Sequence, residues 1–208
     1  MARPGSLVSE HPEVGARLAP ASERQRARIL DAVALVVAEK GYAASTVADI
    51  VREAGVSRST FYELFEGKEA CFLEAYRHGV DVLVERVRAA VRAAHPDDWR
   101  AQLRAGIRTW LETLSAEPLF ARTYLLEIAT AGPAAQQARA DALRRFAERY
   151  AATAEHAGRR PGLDVLLIVC AGTEQVAAER IRTGRSSDVT DLLEPFCACV
   201  QAVIEGVG

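Results

Sequence analysis

Ser57-Arg58-Ser59-Thr60 and Tyr62 place three hydroxyls, a guanidinium and a phenol in one short stretch. No nucleophile–base pair stands among them, so the chemistry on offer is hydrogen bonding. A guanidinium fork fits the O6/N7 edge of guanine, and hydroxyls and phenols suit phosphate oxygens. Such groups reach a major groove only from the end of a rigidly held helix. The neighbouring residues predict one. Ser57 is a helix N-cap, and Phe61, Leu64 and Phe65 turn back to a core. Upstream, Ser45 or Thr46 caps another helix whose apolar face is Val47, Ile50, Val51 and Ala54. Gly55 permits a sharp turn between the two, and Val56 plugs the corner. A helical hairpin of an ordinary bundle would share the Ala-Gly-Val turn. The Ser-Arg-Ser-Thr tip, the Phe61–Tyr62 pair and the Phe65…Lys68-Glu69 step favour a DNA-reading helix-turn-helix instead.

At Lys40-Gly41-Tyr42, Ser45-Thr46, Ala54-Gly55-Val56-Ser57, Phe61-Tyr62, Phe65 and Lys68-Glu69 the chain resembles the TetR family of bacterial transcriptional regulators. The resemblance covers Arg24 to Tyr76; beyond that only length and helical character match. It implies that Thr46 touches phosphate at the start of the second helix. It implies that Ser57, Arg58, Ser59 and Thr60 form the tip of the recognition helix. Tyr62 and Lys68 would contact backbone phosphate, and Arg58 is the best candidate for a base contact. Three positions depart from the family pattern. Val51 stands where alanine is usual and asks for a small packing shift. Glu63 and Leu64 replace an aromatic and a histidine or second aromatic, which puts a negative charge near the phosphates and leaves the operator sequence open.

The chain has 208 residues, half of them hydrophobic, and a net charge of −2. That balance excludes binding nucleic acid by bulk charge, so affinity must come from local placement of Arg24, Arg26, Arg28, Arg58 and Lys68. No uncharged apolar run approaches membrane-spanning length, and no leader pattern opens the chain, which predicts a soluble, cytoplasmic protein. The four cysteines and four histidines show no ligand spacing. Cys71, Cys170, Cys197 and Cys199 read as small buried hydrophobes, with Cys197 and Cys199 aimed apart. No phosphate loop or nucleophile elbow is present, and no metal or cofactor is expected.

Periodicity predicts an all-α chain of about nine helices. Residues 1–21, rich in Pro and Gly, read as a disordered tail. Helix 1 spans Ser22 to Lys40, and residues 22–67 make the DNA-binding part. Residues 68–208 make a larger helical part for ligand binding and dimerisation. Its helices run from about Lys68 to Ala93, Asp98 to Ala116, Pro118 to Gly132, Ala134 to Ala157 and Leu163 to Thr183. A last helix is capped by Ser186-Ser187-Asp188 and bent at Pro195.

The stretch near 163–183 is apolar on several faces, and with 188–206 it suggests a four-helix seam with a second copy. Trp110, Phe120, Tyr124, Phe146 and Tyr150, with the embedded carboxylates Glu127 and Glu174, are candidate walls of a ligand pocket. For any single one of these aromatics, ordinary core packing is the better reading. A buried carboxylate needs a partner, and Arg122 or Arg180 could serve. The resemblance implies a homodimeric regulator, a repressor in the usual case. Such a protein binds a palindromic operator and is released when a small molecule binds the C-terminal part. The alternative is a small-molecule-binding or adaptor protein with a vestigial DNA-binding unit; a helical enzyme is the third reading.

Overall fold

The computed structural model describes residues 20–206. These form an all-α protein with no strand among the described residues. In chain order the helices are α1 (Ala21–Lys40), α2 (Val47–Ala54), α3 (Arg58–Leu64), α4 (Lys68–Ala93) and α5 (Trp99–Ala116). Then come α6 (Pro118–Leu125), a 3-10 turn (Glu127–Thr130), α7 (Pro133–His156) and α8 (Leu163–Arg182). A second 3-10 segment (Ser186–Leu192) leads into α9 (Leu193–Gly206). The expected disordered tail falls, up to residue 19, outside the described residues.

Two compact units divide the chain. The first takes the described residues up to Val82 together with Leu119–Ala138; the second takes Leu83–Pro118 and the described residues from Arg139 on. Thus α4 and α7 each contribute residues to both.

In the first unit, the apolar stripe of α1 (Ile29, Leu30, Val33, Val36, Val37) is buried, as are Ile50, Val51 and Ala54 of α2 and Phe61 of α3. The larger Val51 is therefore absorbed in the core. The first half of α4 packs on α6 through stacked rings. Tyr76 lies 5.9 Å from Tyr124, and Tyr124 lies 5.3 Å from Phe120. Gly79 makes this approach possible, because a Cβ there would stand 2.8 Å from Phe120. Phe120 and Tyr124 are thus used to pack α6 on α4.

In the second unit, Ala147, Leu166 and Cys170 centre a cluster ringed by Leu143, Phe146, Tyr150, Leu163, Leu167 and Val203. Gly106 of α5 passes 3.3 Å, at a built Cβ, from Val91 of α4. Gln102 closes the α4–α5 loop by donating to Pro96 O at 2.8 Å and faces His156 Nδ1 at 3.1 Å. Arg104 grips Glu194 and Arg100 grips Glu205, tying α5 to α9. No described helix is long and apolar enough to cross a membrane.

Three local expectations change. Ser186-Ser187-Asp188 opens a 3-10 segment, and α9 begins only at Leu193. Pro195 therefore lies in the first turn of α9, where no N–H is needed, and bends nothing. Cys71, Cys170 and Cys197 are buried as expected, but Cys199 is exposed. Burial pushes the Cys170 thiol up to about 12, so that sulfur is a hydrophobe.

The turn of the helix-turn-helix rests on Gly55, which has φ +62° and ψ 41°. A Cβ there would also stand 2.7 Å from Arg28 Nη2. Gly55→Ala should lower stability by about 1–2 kcal/mol, read by urea or thermal unfolding.

Candidate nucleic-acid interface

The second helix begins where a hydrogen-bond box closes. Thr46 Oγ1 accepts from Asp49 N at 3.2 Å, while Asp49 Oδ2 accepts from Thr46 N at 3.2 Å. Asp49 also meets Lys40 Nζ at 2.6 Å and Arg52 at 2.8 Å. The Lys40 and Thr46 hydrogen bonds, with Arg52, hold its carboxyl well below the usual carboxylate range. Of the two caps the sequence offered, Thr46 is the one used, and the Thr46-x-x-Asp49 spacing is the signal that could have singled it out. Thr46 stays exposed beside this box.

The third helix begins with Ser57, whose Oγ accepts Thr60 N at 3.0 Å. Ser57 Oγ also lies 2.7 Å from Ser59 Oγ and 2.9 Å from Thr60 Oγ1. The three hydroxyls form one local network at the helix tip. Arg58 projects from the same turn, exposed and without an ion pair to any described residue. Tyr62 is 58% exposed, a high value for so large a ring, and its edge meets buried Phe61 at 5.4 Å. Glu63 is exposed alongside. The outer side of α3 thus offers a guanidinium, hydroxyls and a phenol, backed by Phe61 and Phe65 in the core.

The other cations have different duties. Arg28 donates to Ala54 O and, at 3.2 Å, to Gly55 O, closing the end of α2. Arg26 donates to Leu64 O at 3.1 Å, pairs with Glu74 and lies 4.5 Å over the Phe65 ring. Lys68 donates to Tyr42 O at 2.7 Å and Ser45 O at 2.8 Å, with its Nζ 4.2 Å from the Tyr42 ring centre. Burial lowers its pKa. Arg26, Arg28 and Lys68, expected at the DNA, are engaged in the fold, and Lys68 keeps one N–H for another acceptor. No pattern in the sequence signals these contacts, because each joins segments more than twenty residues apart.

The seven candidate pocket residues do not come together in one unit. Phe120, Tyr124 and Glu127 belong to the first, and Trp110, Phe146, Tyr150 and Glu174 to the second. Trp110 lies 6.2 Å from Phe196, and Phe146 and Tyr150 pack on the Ala147–Leu166–Cys170 core. Burial pushes the Tyr150 hydroxyl well above its ordinary pKa. Glu174 is 4% exposed and pairs with Arg139 Nε at 2.6 Å. Desolvation raises its pKa against the opposing pull of that arginine. Glu127 lies 3.3 Å from Arg122, one of the two arginines suggested for the buried carboxylates, whereas Arg180 instead donates to Asp188 O at 3.2 Å.

Residues 29–75 match the family described as bacterial regulatory proteins, tetR family. The chain is 34% identical over 93 residues to the HTH-type transcriptional activator FasR of Mycolicibacterium smegmatis, covering 45% of this chain and 41% of that protein. It is 35% identical over 92 residues to the HTH-type transcriptional repressor KstR2 of Rhodococcus jostii, covering 44% of each. The matched stretch therefore spans less than half the length of these relatives. Over most of the chain the fold resembles the Bacillus subtilis regulator FadR, solved in complex with stearoyl-CoA. The TM-score is 0.72 at 19% identity, covering 87% of this chain and 98% of that one.

The interface separates two kinds of arginine. Arg28→Ala should cost about 1 kcal/mol in thermal or urea unfolding, since the end of α2 loses a charged donor. Arg58→Ala should leave the same unfolding curve unmoved.

Proposed function

The chain belongs to the TetR family of bacterial transcriptional regulators, and we propose that it represses transcription as a homodimer on a palindromic operator until a small molecule releases it. The observation that carries this reading is the tip of α3. Arg58 is held out from a capped, core-anchored helix with no ion pair to any described residue, beside Ser57, Ser59, Thr60 and exposed Tyr62. In this reading Arg58 reads a guanine edge, while Thr46, Tyr62 and the spare N–H of Lys68 hold the backbone. Repression follows from occupancy alone, which needs no further surface. The work is done in the cytoplasm, on the nucleoid.

We assign DNA reading to residues 22–67 and dimerisation and effector binding to 68–208. The dimer seam is α8 with α9. Of the five exposed large hydrophobics among the described residues, Val165, Ile168 and Val176 all lie on α8. Ile168 is 72% exposed, and Gly172 on the same face has open space around it. Exposed Ala198, Cys199 and Ala202 line α9. An exposed apolar face such as that of α8 marks a protein contact. A twofold seam would set two recognition helices roughly 34–36 Å apart, one DNA turn. The effector would act by preferring the dimer form whose spacing misses successive grooves, and only that difference in affinity can drive release. FadR of Bacillus subtilis was crystallised with stearoyl-CoA, which supports a small-molecule effector for this fold.

In a salt-titrated mobility shift against DNA upstream of its own and neighbouring genes, the protein should bind selectively. Arg58→Ala should lose about 1–3 kcal/mol of that binding. Weak, unselective binding indifferent to Arg58 would favour an adaptor with a vestigial DNA-binding unit. Ile168→Glu should convert the dimer to monomer in sedimentation or light scattering, because it would bury a charge in the seam.

A further inference from the structure

The segment 119–138 is remote in sequence from the recognition helix yet lies in the same compact unit. It brings one buried carboxylate to the DNA-binding helices. Glu127 is 9% exposed, and its Oε2 accepts the backbone N–H of Tyr42 at 2.8 Å across 85 residues of sequence. Its Oε1 lies 3.3 Å from Arg122 Nη2. Tyr42 sits in the turn between α1 and α2. Gly41, just before it, has φ +81°, and a Cβ there would stand 3.4 Å from Glu127 Oε2. The positive φ is what calls for glycine there, and the carboxylate reaches the turn at ordinary van der Waals distance.

The same turn is held by its other polar groups. Tyr42 O takes Lys68 Nζ at 2.7 Å, and Ser45 Oγ donates to Gly41 O at 2.7 Å. An anion from the 3-10 turn after α6 thus grips the N–H, and a cation from the start of α4 grips the carbonyl. Four residues later Thr46 starts α2, which props α3. The place of this turn decides where α2 begins and so how α3 is presented.

We propose that Glu127 is a positioning residue for DNA binding: its hydrogen bond to Tyr42 N holds the α1–α2 turn, and through it the recognition helix, in the groove-fitting position. Movement at the end of α6 reaches the DNA-binding helices through this bond. The inference rests on the DNA-binding reading above and adds a route for its regulation. Tyr42 is only half-buried, so its N–H can turn to water when the carboxylate is lost. The fold then survives while the turn loosens.

The test measures fluorescence anisotropy on a fragment that the wild type binds selectively. It compares wild type, Glu127→Ala, Glu127→Gln and Arg58→Ala, with amide hydrogen exchange at Tyr42 in the free proteins. Glu127→Ala should weaken binding about tenfold and speed Tyr42 exchange about tenfold, as expected when a hydrogen bond to a charged group is lost. Glu127→Gln keeps an acceptor oxygen for the same N–H and should stay within about twofold of wild type, a change worth little free energy. A general loss of packing would not be rescued in this way. If Glu127→Ala binds like wild type while Arg58→Ala does not, the role of Glu127 is overturned and the regulator reading stands. Unchanged Tyr42 exchange, or Gln as weak as Ala, overturns it as well. If the wild type itself binds nothing selectively, both readings fall.

Discussion

A short helix ends in carbonyls that no further turn can satisfy, and a DNA-reading unit made of short helices has several such ends close together. Here α2 and α3 have only eight and seven residues. Arg28 closes the end of α2, Arg26 closes the end of α3, and Lys68 closes the turn that leads into α2. Each is a cation at carbonyl oxygens, and for the two arginines the helix dipole adds to the attraction. The rest of the interface depends on this, because Arg58 and Tyr62 can face outward only if α3 is fixed at its base.

The same economy governs the carboxylates. Asp49 completes the start of α2, Glu74 meets Arg26, and Glu127 reaches the Tyr42 N–H. Each lies where a backbone donor or a structural arginine would otherwise lack a partner. In the second unit, Glu174 and Arg139 form a pair that is buried on the acid side. Such a pair adds little net stability but is costly to break, so whatever approaches it meets a fixed polar point in an apolar cluster.

The outer face of α8 follows a different rule. Val165, Ile168 and Val176 are exposed although Leu166, Val169, Cys170 and Ala177 on the same helix are buried. A helix apolar on several faces needs cover on several sides, and one chain covers only part of it.

Much was legible in the sequence. Periodicity and punctuation placed α4 at Lys68–Ala93 and α8 within a residue, because helix caps, Gly-Pro breaks and apolar spacing are local. The roles of Gly55, Ser57 and Thr46 were equally local, since a cap or a left-handed turn is written in neighbouring residues. The beginning of α9 was missed because Ser186, Ser187 and Asp188, read as a cap, lie inside a 3-10 segment that has no side-chain cap. What only the tertiary structure decided is which polar groups face outward. Arg26, Arg28, Arg58 and Lys68 look alike as letters, yet two arginines are engaged at helix ends, Lys68 holds the turn before α2, and Arg58 has no ion pair among the described residues. Phe120 and Tyr124 became packing, and Glu127 joined the first unit, for the same reason. A side chain's role in these cases is set by a partner tens of residues away, and no local spacing encodes that distance. The sequence by itself determined most of the helices and the caps of α2 and α3; folding decided which of their charges stay at the surface.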